Sequence, residues 1–351
     1  MVSCNAQNQT KINTNITPSY LKLKTSVSYK IDTGENGIYC GFLDSYGNLW
    51  FGTNGDGLHH YNGKKFTHYL EKSGANTNQI KSIIEDQEHN LWMGTGDGLW
   101  KYDRKEFCHI PIPFSDTSSI WLDKVYPVIN PNAVHSLAQD KAGNIWLGTG
   151  GGGAYCYNGV DFTPYLTQIG TKQSDSLYHN WVTSITTDKN DHIWFASMTH
   201  GGTSRYDGKT FTQFMPKDGL SDDMIRTIHT DKSGRVWFGF NGNRKSGLTF
   251  YDGKSFHTFS KKEGLCNTNI MSIYEDKNGL FWLASGRGNL CVFNGKNFKE
   301  FQSKDGETFP QVLFILEDSN NHIWFGGMHG LWRYDGDSVI NMAEQHQPKN
   351  N

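Results

Sequence analysis

The sequence has no long hydrophobic run, no excess of charge of one sign and no helical periodicity. No stretch of about 18 apolar residues occurs, so we expect no membrane-spanning helix. The formal net charge is −2 and no basic run stands out, which argues against nucleic acid or an acidic lipid surface as a partner. Apolar residues do not recur at the spacing of an amphipathic helix, so a helical fold is not expected.

Cysteine is scarce and irregularly spaced. The six cysteines, at positions 4, 40, 108, 156, 266 and 291, include no CxxC pair, so no zinc site is predicted. We interpret Cys108, Cys156 and Cys291, which lie in strand-like segments, as small buried apolar side chains. The HxH and HExxH patterns of metal sites are missing as well. The sequence therefore predicts no cofactor and gives no support for a divalent cation.

Aromatic residues make up 14% of the chain and glycine occurs 39 times, and both are arranged in a repeat. The stretch "DSYGNLWFGTNGDGLHHYNGKKFTHY" (residues 44–69) has six further variants along the chain. Each copy has a tryptophan: Trp50, Trp92, Trp146, Trp194, Trp237, Trp282 and Trp324. An aspartate lies six residues before each one: Asp44, Asp86, Asp140, Asp188, Asp231, Asp276 and Asp318. A period of about 40–50 residues indicates a solenoid or a propeller.

Each repeat has the pattern of four short strands, A to D. The Asn-Gly and Asp-Gly pairs between strands C and D are strong hairpin signals, because both central residues need positive φ. Seven such units predict an all-β fold, a seven-bladed β-propeller with four antiparallel strands per blade, over residues 25–342. We expect the tryptophans to fill layers between blades and the aspartates to bind backbone N–H groups of their own turns. Either residues 26–32 or residues 337–342 should supply the outer strand of blade seven.

The repeat resembles the two-component regulator propeller family. The resemblance is carried by "NAVHSLAQDKAGNIWLGTGGG" (132–152), "KDGLSDDMIRTIHTDKSGRVWFG" (217–239) and "KEGLCNTNIMSIYEDKNGLFW" (262–282), and it extends over roughly residues 25–340. It implies a bacterial periplasmic sensor-type module. Such modules usually precede a membrane span and a histidine kinase. Neither follows residue 340 here, so we expect any sensor kinase to be encoded separately.

Loop lengths differ between the two faces of the predicted propeller. The A–B and C–D turns keep constant spacings in all seven repeats, whereas the B–C and D–A loops on the opposite face vary. The longest insertions fall in blades two to five. Insertions in repeat proteins often collect on a binding face, and neutral drift of surface loops is the alternative.

The variable loops supply candidate ligand-binding groups. Aromatic side chains for stacking are Trp121, Tyr126, Tyr178 and Trp181, and polar groups are Asn180, His200, Asp223, Asn243, Arg244, Arg287 and His329. One position near the start of strand A changes in character between blades: Tyr39, Lys81, His135, Thr183, Arg226, Met271 and Leu313. We expect Lys81, His135 and Arg226 to form a cationic cluster for a carboxylate or phosphate. Solvated channel residues without a ligand are the alternative.

The amino terminus resembles the end of a bacterial lipoprotein signal. Small residues precede Cys4, a polar segment follows it, and the basic and apolar parts of a signal are absent. We expect residues 1–24 to be a signal remnant and flexible linker with lipidation at Cys4, and residues 343–351 to be a disordered tail. A lipid-anchored outer-membrane protein of the periplasm or cell surface follows, with membrane contact only through that lipid.

Three functions remain open on these grounds. The favoured one is a monomeric sensor-type propeller that binds a carbohydrate, peptide or protein ligand through its B–C/D–A face. A metal-assisted lyase or hydrolase on the same face would need histidines such as His135, His200 and His329 with Asp223 as carboxylate. The third is a protein–protein scaffold. The sequence leaves catalysis undecided and favours a protein that is not an enzyme, because fold alone does not choose.

Overall fold

The computed structural model describes residues 3–4, 17–31, 37–71, 78–113, 132–166, 181–241, 246–286 and 288–343. These residues form seven antiparallel sheets, each containing four consecutive strands, and three of the sheets gain a fifth strand from the amino-terminal segment. Strand A of every blade contacts strand A of the next blade, and strand A of blade seven contacts that of blade one, so the ring is closed. The predicted seven-bladed propeller with four strands per blade is confirmed.

Three short strands precede the first blade: β1 (Ser3–Cys4), β2 (Ser19–Tyr20) and β3 (Leu23–Ser28). Blades one to three comprise β4 (Ile38–Leu43), β5 (Leu49–Thr53), β6 (Leu58–Tyr61) and β7 (Phe66–Glu71); β8 (Ile80–Glu85), β9 (Leu91–Thr95), β10 (Gly98–Tyr102) and β11 (Phe107–Ile110); and β12 (Val134–Gln139), β13 (Ile145–Thr149), β14 (Ala154–Tyr157) and β15 (Phe162–Tyr165).

Blades four and five comprise β16 (Val182–Thr187), β17 (Ile193–Ser197), β18 (Thr203–Tyr206) and β19 (Phe211–Phe214); and β20 (Ile225–Thr230), β21 (Val236–Phe240), β22 (Leu248–Tyr251) and β23 (Phe256–Phe259). Blades six and seven comprise β24 (Ile270–Glu275), β25 (Phe281–Ser285), β26 (Cys291–Phe293) and β27 (Phe298–Glu300); and β28 (Val312–Glu317), β29 (Ile323–Gly327), β30 (Gly330–Tyr334) and β31 (Val339–Asn341). Helical structure in the described residues is limited to two 3₁₀ turns, Pro216–Asp218 and Lys261–Glu263. No helix in these ranges has the length and apolar character needed to cross a bilayer.

The seven repeat aspartates build the A–B turns. In every blade the carboxylate accepts the backbone N–H four residues later, at 2.8 to 3.1 Å, as predicted. It also accepts the indole N–H of the repeat tryptophan, at 2.7 to 3.1 Å, which the sequence reasoning missed. One acidic side chain thus joins the turn to strand B, and this explains why the spacing of six never varies.

The repeat tryptophans fill the layers between blades, as predicted. Seven hydrophobic clusters lie one at each blade interface, and each contains one repeat tryptophan packed against the next blade. Trp324 of blade seven, for example, contacts Phe51 and Tyr61 of blade one, with ring centroids 5.7 and 5.4 Å apart. Burying large aromatic rings on both faces of each sheet supplies most of the stabilisation of such a ring.

The C–D turns repeat a second hydrogen-bond pattern. An Asn or Asp side chain at the start of each turn accepts two backbone N–H groups, as Asp207 does from Lys209 and Thr210. The tyrosine that ends strand C donates its hydroxyl to a turn carbonyl in six blades, as Tyr206 does to Gly208. Both fixed-length turns are therefore occupied by their own hydrogen bonds.

The carboxyl-terminal segment supplies the outer strand of blade seven, since β31 pairs with β30. The amino-terminal segment instead adds a fifth strand to blade one, where β3 pairs with β7 over six residues. Ile31, which is fully buried, then forms a parallel bridge with Ala343 beside blade seven. Further upstream, β2 pairs with β11 of blade two and β1 with β19 of blade four. Strand pairing thus begins before residue 25.

The cysteines differ in their bonding. Cys291 is buried in an apolar cluster, as predicted, and it forms a disulfide bond with Cys266 that the sequence had left open. The bond joins the loop before strand A of blade six to strand C of the same blade. Cys40, Cys108 and Cys156 are free and partly buried. Burial raises the pKa of the Cys40 and Cys156 thiols to about 12, so neither is a reactive thiolate at neutral pH.

Candidate ligand-binding site in the central channel

Strand A of every blade contains an irregularity at the same place. In blade three, Val134 pairs with Thr149 of strand B, but Ser136 pairs with Gly148, so His135 between them has no partner in the register. The same shift occurs in the other six blades. The seven bulge residues are Tyr39, Lys81, His135, Thr183, Arg226, Met271 and Leu313. A β-bulge re-aims one side chain relative to the strand.

These bulge residues line the central channel near the B–C/D–A face. Strand A is the innermost strand and its bulge lies just after the D–A loop, so the seven bulge residues form a ring around the opening. All seven are partly exposed, although their strand neighbours Val134 and Ile225 are fully buried. The strand A position that changes in character between repeats is therefore the bulge position beside the channel.

Small residues in strand B bring neighbouring inner strands close together. A Cβ atom added to Gly148 would lie 2.6 Å from a methyl group of Val182 in the next blade, and one added to Gly94 would lie 2.7 Å from Val134. Real Cβ atoms do not approach so closely. The glycine in the "WxG" stretch of these repeats therefore keeps the ring tight and draws the bulge residues of adjacent blades towards each other.

Lys81 and His135 are in contact across the interface of blades two and three. Lys81 Nζ lies 3.5 Å from His135 Nε2. Burial, reinforced by the charges of Lys81 and Arg226, lowers the pKa of His135 to about 3, so this imidazole is neutral at physiological pH. Burial also lowers the pKa of Lys81, with a further contribution from Arg226. The three predicted cluster residues therefore lie within electrostatic reach of one another.

The cluster has no carboxylate counterpart in the part of the chain that the structure describes. The ion pairs there involve neither Lys81 nor Arg226. Burial lowers the pKa of Arg226, and the phenol of Tyr39 opposes this shift. Among the described residues, these two partly buried cations thus have no ion-pair partner.

Trp181 borders the cluster. It forms a bridge with Gly150 of blade three, and its indole stands edge-on to the His135 ring with centroids 6.1 Å apart. The Trp181 side chain is partly buried. It thus lies next to the Lys81–His135 contact.

Two further predicted residues form a separate pair on the same face. His200 Nδ1 lies 2.9 Å from Asp223 Oδ1, joining the B–C loop of blade four to the start of blade five. His200 adopts positive φ, 60°, a conformation uncommon for residues other than glycine. His329 instead contacts Gln311 at 2.9 Å, in blade seven. The three histidines that a lyase or hydrolase site would need have different neighbours.

The remaining bulge residues make the opposite arc less polar. Met271 and Leu313 lie in blades six and seven, and Met271 also packs on the cluster between those blades. Thr183 donates its hydroxyl to the Ile225 carbonyl at 3.1 Å. The sequence identified these positions as variable, but of the seven it assigned only Lys81, His135 and Arg226 to the predicted site.

Several predicted residues lie outside the described residues: Trp121, Tyr126, Tyr178, Asn180, Asn243, Arg244 and Arg287. Their role in ligand binding stays a prediction. Within the described ranges, no group of three His, Cys, Asp or Glu side chains is placed to hold a metal ion. The backbone of Cys4 belongs to β1, and lipidation there also stays a prediction.

Comparison with known proteins places the repeat in a family. Residues 74–97, 129–151, 219–242 and 264–287 match the family model described as two component regulator propeller. Each match begins before strand A and ends after strand B, so it includes the bulge and the Asp–Trp pair. The chain is a seven-bladed propeller in which these four segments, in blades two, three, five and six, match that repeat. No curated protein matches the chain.

Several solved structures share the fold. The extracellular domain of the putative hybrid two component system BT3049 from B. thetaiotaomicron is 24% identical, with a TM-score of 0.69. The match covers 89% of this chain and 41% of that one, so this chain spans about two fifths of its relative. A streptogramin B lyase is 13% identical with a TM-score of 0.66, covering 90% and 98% of the two chains. Virginiamycin B lyase from Staphylococcus aureus is 14% identical with a TM-score of 0.65, covering 92% and 100%.

Proposed function

We propose that this protein is a sensor-type ligand-binding module that works outside the cytoplasm and takes its ligand at the channel mouth on the B–C/D–A face. The observation that carries the proposal is the ring of seven bulge residues. One residue per blade has no partner in the register of strands A and B, and all seven lie at equivalent places on the innermost strands. The opposite face offers fixed turns whose polar groups are already engaged in hydrogen bonds.

The repeat family and one similar structure support a sensing role. The family is described as a two-component regulator propeller, and BT3049 is named as a putative hybrid two-component system with an extracellular domain of this fold. We extend that role to this chain, with a carbohydrate or peptide ligand as the expected class.

The Cys266–Cys291 disulfide supports a location outside the cytoplasm. Disulfides persist in oxidising compartments such as the periplasm and cell surface, and cytosolic thiols are kept reduced. Anchoring through a lipid on Cys4 is part of the proposal. Expression of the natural gene with a fatty-acid probe should label the protein, and Cys4→Ser should abolish the label. Label that survives this substitution would refute the anchor.

Binding is tested with a panel of oligosaccharides and peptides on the purified protein. For any ligand found in the panel, Trp181→Ala should weaken the binding free energy by about 1–3 kcal/mol, because an aromatic side chain at the edge of a binding site contributes about that much. Lys209→Ala, in the exposed C–D turn of blade four, should leave affinity unchanged. Equal affinities for the two variants, or unfolding of Trp181→Ala, would contradict the site.

A further inference from the structure

We infer that the channel ligand is an amphipathic organic anion, whose carboxylate, sulfate or phosphate group binds between Lys81 and Arg226 and whose apolar part lies along Met271 and Leu313. This inference rests on the proposed function and restricts its ligand class to carbohydrates or peptides that carry an anionic group and an apolar part. It starts from the two cations in the channel wall that lack an acidic partner among the described residues.

Partly buried cations in proteins are normally paired, because removing a charge from water is costly unless an opposite charge compensates it. Lys81 of blade two and Arg226 of blade five occupy the same bulge position on the innermost strands around one channel, and Lys81 Nζ lies 3.5 Å from His135 Nε2 of blade three. The charge of Arg226 also helps to lower the pKa of Lys81 and of His135. Both cations therefore contribute to one region of positive potential. A single oxyanion there would compensate both charges.

The donor chemistry of the cluster suits an oxyanion. Arg226 offers a planar fork of N–H groups that matches two oxygens of a carboxylate, sulfate or phosphate, and Lys81 adds a point charge. The phenol of Tyr39 is within electrostatic reach of Arg226 and supplies a neutral donor. A neutral sugar would leave both cations uncompensated, and a cation would be repelled.

His135 acts as a positioning residue rather than as a charge. Its Nε2 faces the ammonium of Lys81 at 3.5 Å, and because an ammonium only donates, Nε2 is the acceptor. The imidazole proton then lies on Nδ1. The contact holds Lys81 towards the channel, and the edge-on Trp181 ring limits the rotation of the imidazole.

Blades six and seven favour a ligand that has an apolar part in addition to its anionic group. Met271 and Leu313 present partly exposed apolar side chains to the channel, beside an otherwise polar ring. An anion with an attached hydrocarbon would bury these surfaces, whereas a small inorganic anion would not. Chain length should therefore increase affinity, by about fourfold for each methylene that is buried.

The experiment uses sodium acetate, hexanoate, sulfate and phosphate, with neutral 1-hexanol, at constant ionic strength and pH 7, by calorimetry and thermal shift. We expect hexanoate to bind at least tenfold more tightly than acetate and 1-hexanol not to bind. Lys81→Met and Arg226→Met should each lower the affinity for hexanoate at least tenfold. Lys254→Met is the matched control, because it removes the same charge from an exposed C–D turn.

Melting temperature gives a second, independent readout. Added hexanoate should raise the melting temperature of the wild type and of Lys254→Met, and should not raise that of Lys81→Met. An equal rise for Lys81→Met and the wild type would overturn the inference, because the bound anion would then not depend on Lys81. Equal binding of 1-hexanol and hexanoate, or equal losses in Lys81→Met and Lys254→Met, would overturn it too.

The two proposals fail in different ways. An uncharged panel ligand that needs Trp181 but binds Lys81→Met normally would overturn the anion inference and leave the proposed function intact. Hexanoate binding that survives Lys81→Met and Arg226→Met would place the anion elsewhere and overturn the inference. If Arg226→Met does not fold, bromide located by anomalous diffraction in wild-type crystals replaces it. Bromide between Lys81 and Arg226 supports the inference, and bromide only at other cations opposes it.

Discussion

Replacing Asp231 by asparagine should destabilise the protein far more than the same replacement in the C–D turn of the same blade. Asp231 is 4% exposed and ties the A–B turn of blade five to strand B. Its Oδ2 accepts from Arg235 Nε at 2.6 Å and from Trp237 Nε1 at 2.7 Å. Its Oδ1 accepts from both the N–H and the hydroxyl of Ser233 and from the Arg235 N–H. Burial alone would raise the pKa of Asp231, but these bonds outweigh burial and lower it.

The magnitude follows from what asparagine cannot do. Its NH₂ group would replace Oδ2 and face two donors, so two charge-assisted hydrogen bonds are lost. Each is worth about 1.5–3 kcal/mol when buried. The Arg235 side chain is 38% exposed, so its bond is discounted for solvent screening. We therefore expect Asp231→Asn to lower the free energy of unfolding by about 2–4 kcal/mol.

Urea denaturation followed by tryptophan fluorescence measures this loss. Asp252→Asn is the control, because Asp252 accepts a similar set of bonds, from Lys254, Ser255 and His257, on the exposed surface. Its effect should be small. Equal destabilisation by the two substitutions would show that the buried Asp–Trp hydrogen bond adds no more stability than an exposed turn bond. The explanation that this bond keeps the Asp-to-Trp spacing at six would then be wrong.

Three further predictions concern the disulfide, the channel histidine and the amino-terminal strand. Cys266→Ser with Cys291→Ser should lower the free energy of unfolding by about 3 kcal/mol, as expected for a closed loop with a sequence separation of 25, and the wild type without reductant should show no free thiol at either position by mass spectrometry. Stability should fall as pH drops from 6.5 towards 3, by up to about 1.4 kcal/mol per unit from His135 alone, because only the unfolded chain protonates it in that window. His135→Gln should flatten this slope in pH-dependent urea titrations, and an unchanged slope would refute the assignment. Ile31→Ala should cost about 2–4 kcal/mol by the same urea assay, since a fully buried side chain at the seam of the ring is truncated, and a cost below 1 kcal/mol would argue against a closing role.

The regular part of the molecule could be predicted from sequence because it is repeated. The constant distance from Asp44 to Trp50 and its six counterparts gives blade number, strand order and the positions of the turns. Even so, the indole–carboxylate bond was missed, because a spacing of six across a turn does not reveal which side chains meet. The channel cluster was predicted from the varying position after Ile80, Val134 and Ile225, where the bulge later explained the variation.

The irregular part could not be predicted. Either terminal segment fits the outer strand of blade seven by pattern, and only pairing shows that Val339–Asn341 occupies it while Leu23–Ser28 joins blade one. The Cys266–Cys291 bond was missed because Cys266 lies in a loop, and strand position alone says nothing of a partner 25 residues away.

The bulge separates the chemistry of the channel from the stability of the scaffold. Each blade commits one residue that neither pairs in the sheet nor fills a blade interface completely, so its identity is free of the demands placed on its neighbours. In order around the ring, the seven bulge residues are Tyr, Lys, His, Thr, Arg, Met and Leu. A protein of this kind can change its ligand specificity by single substitutions at these positions. A designer could replace all seven residues and leave every turn, tryptophan and aspartate unchanged.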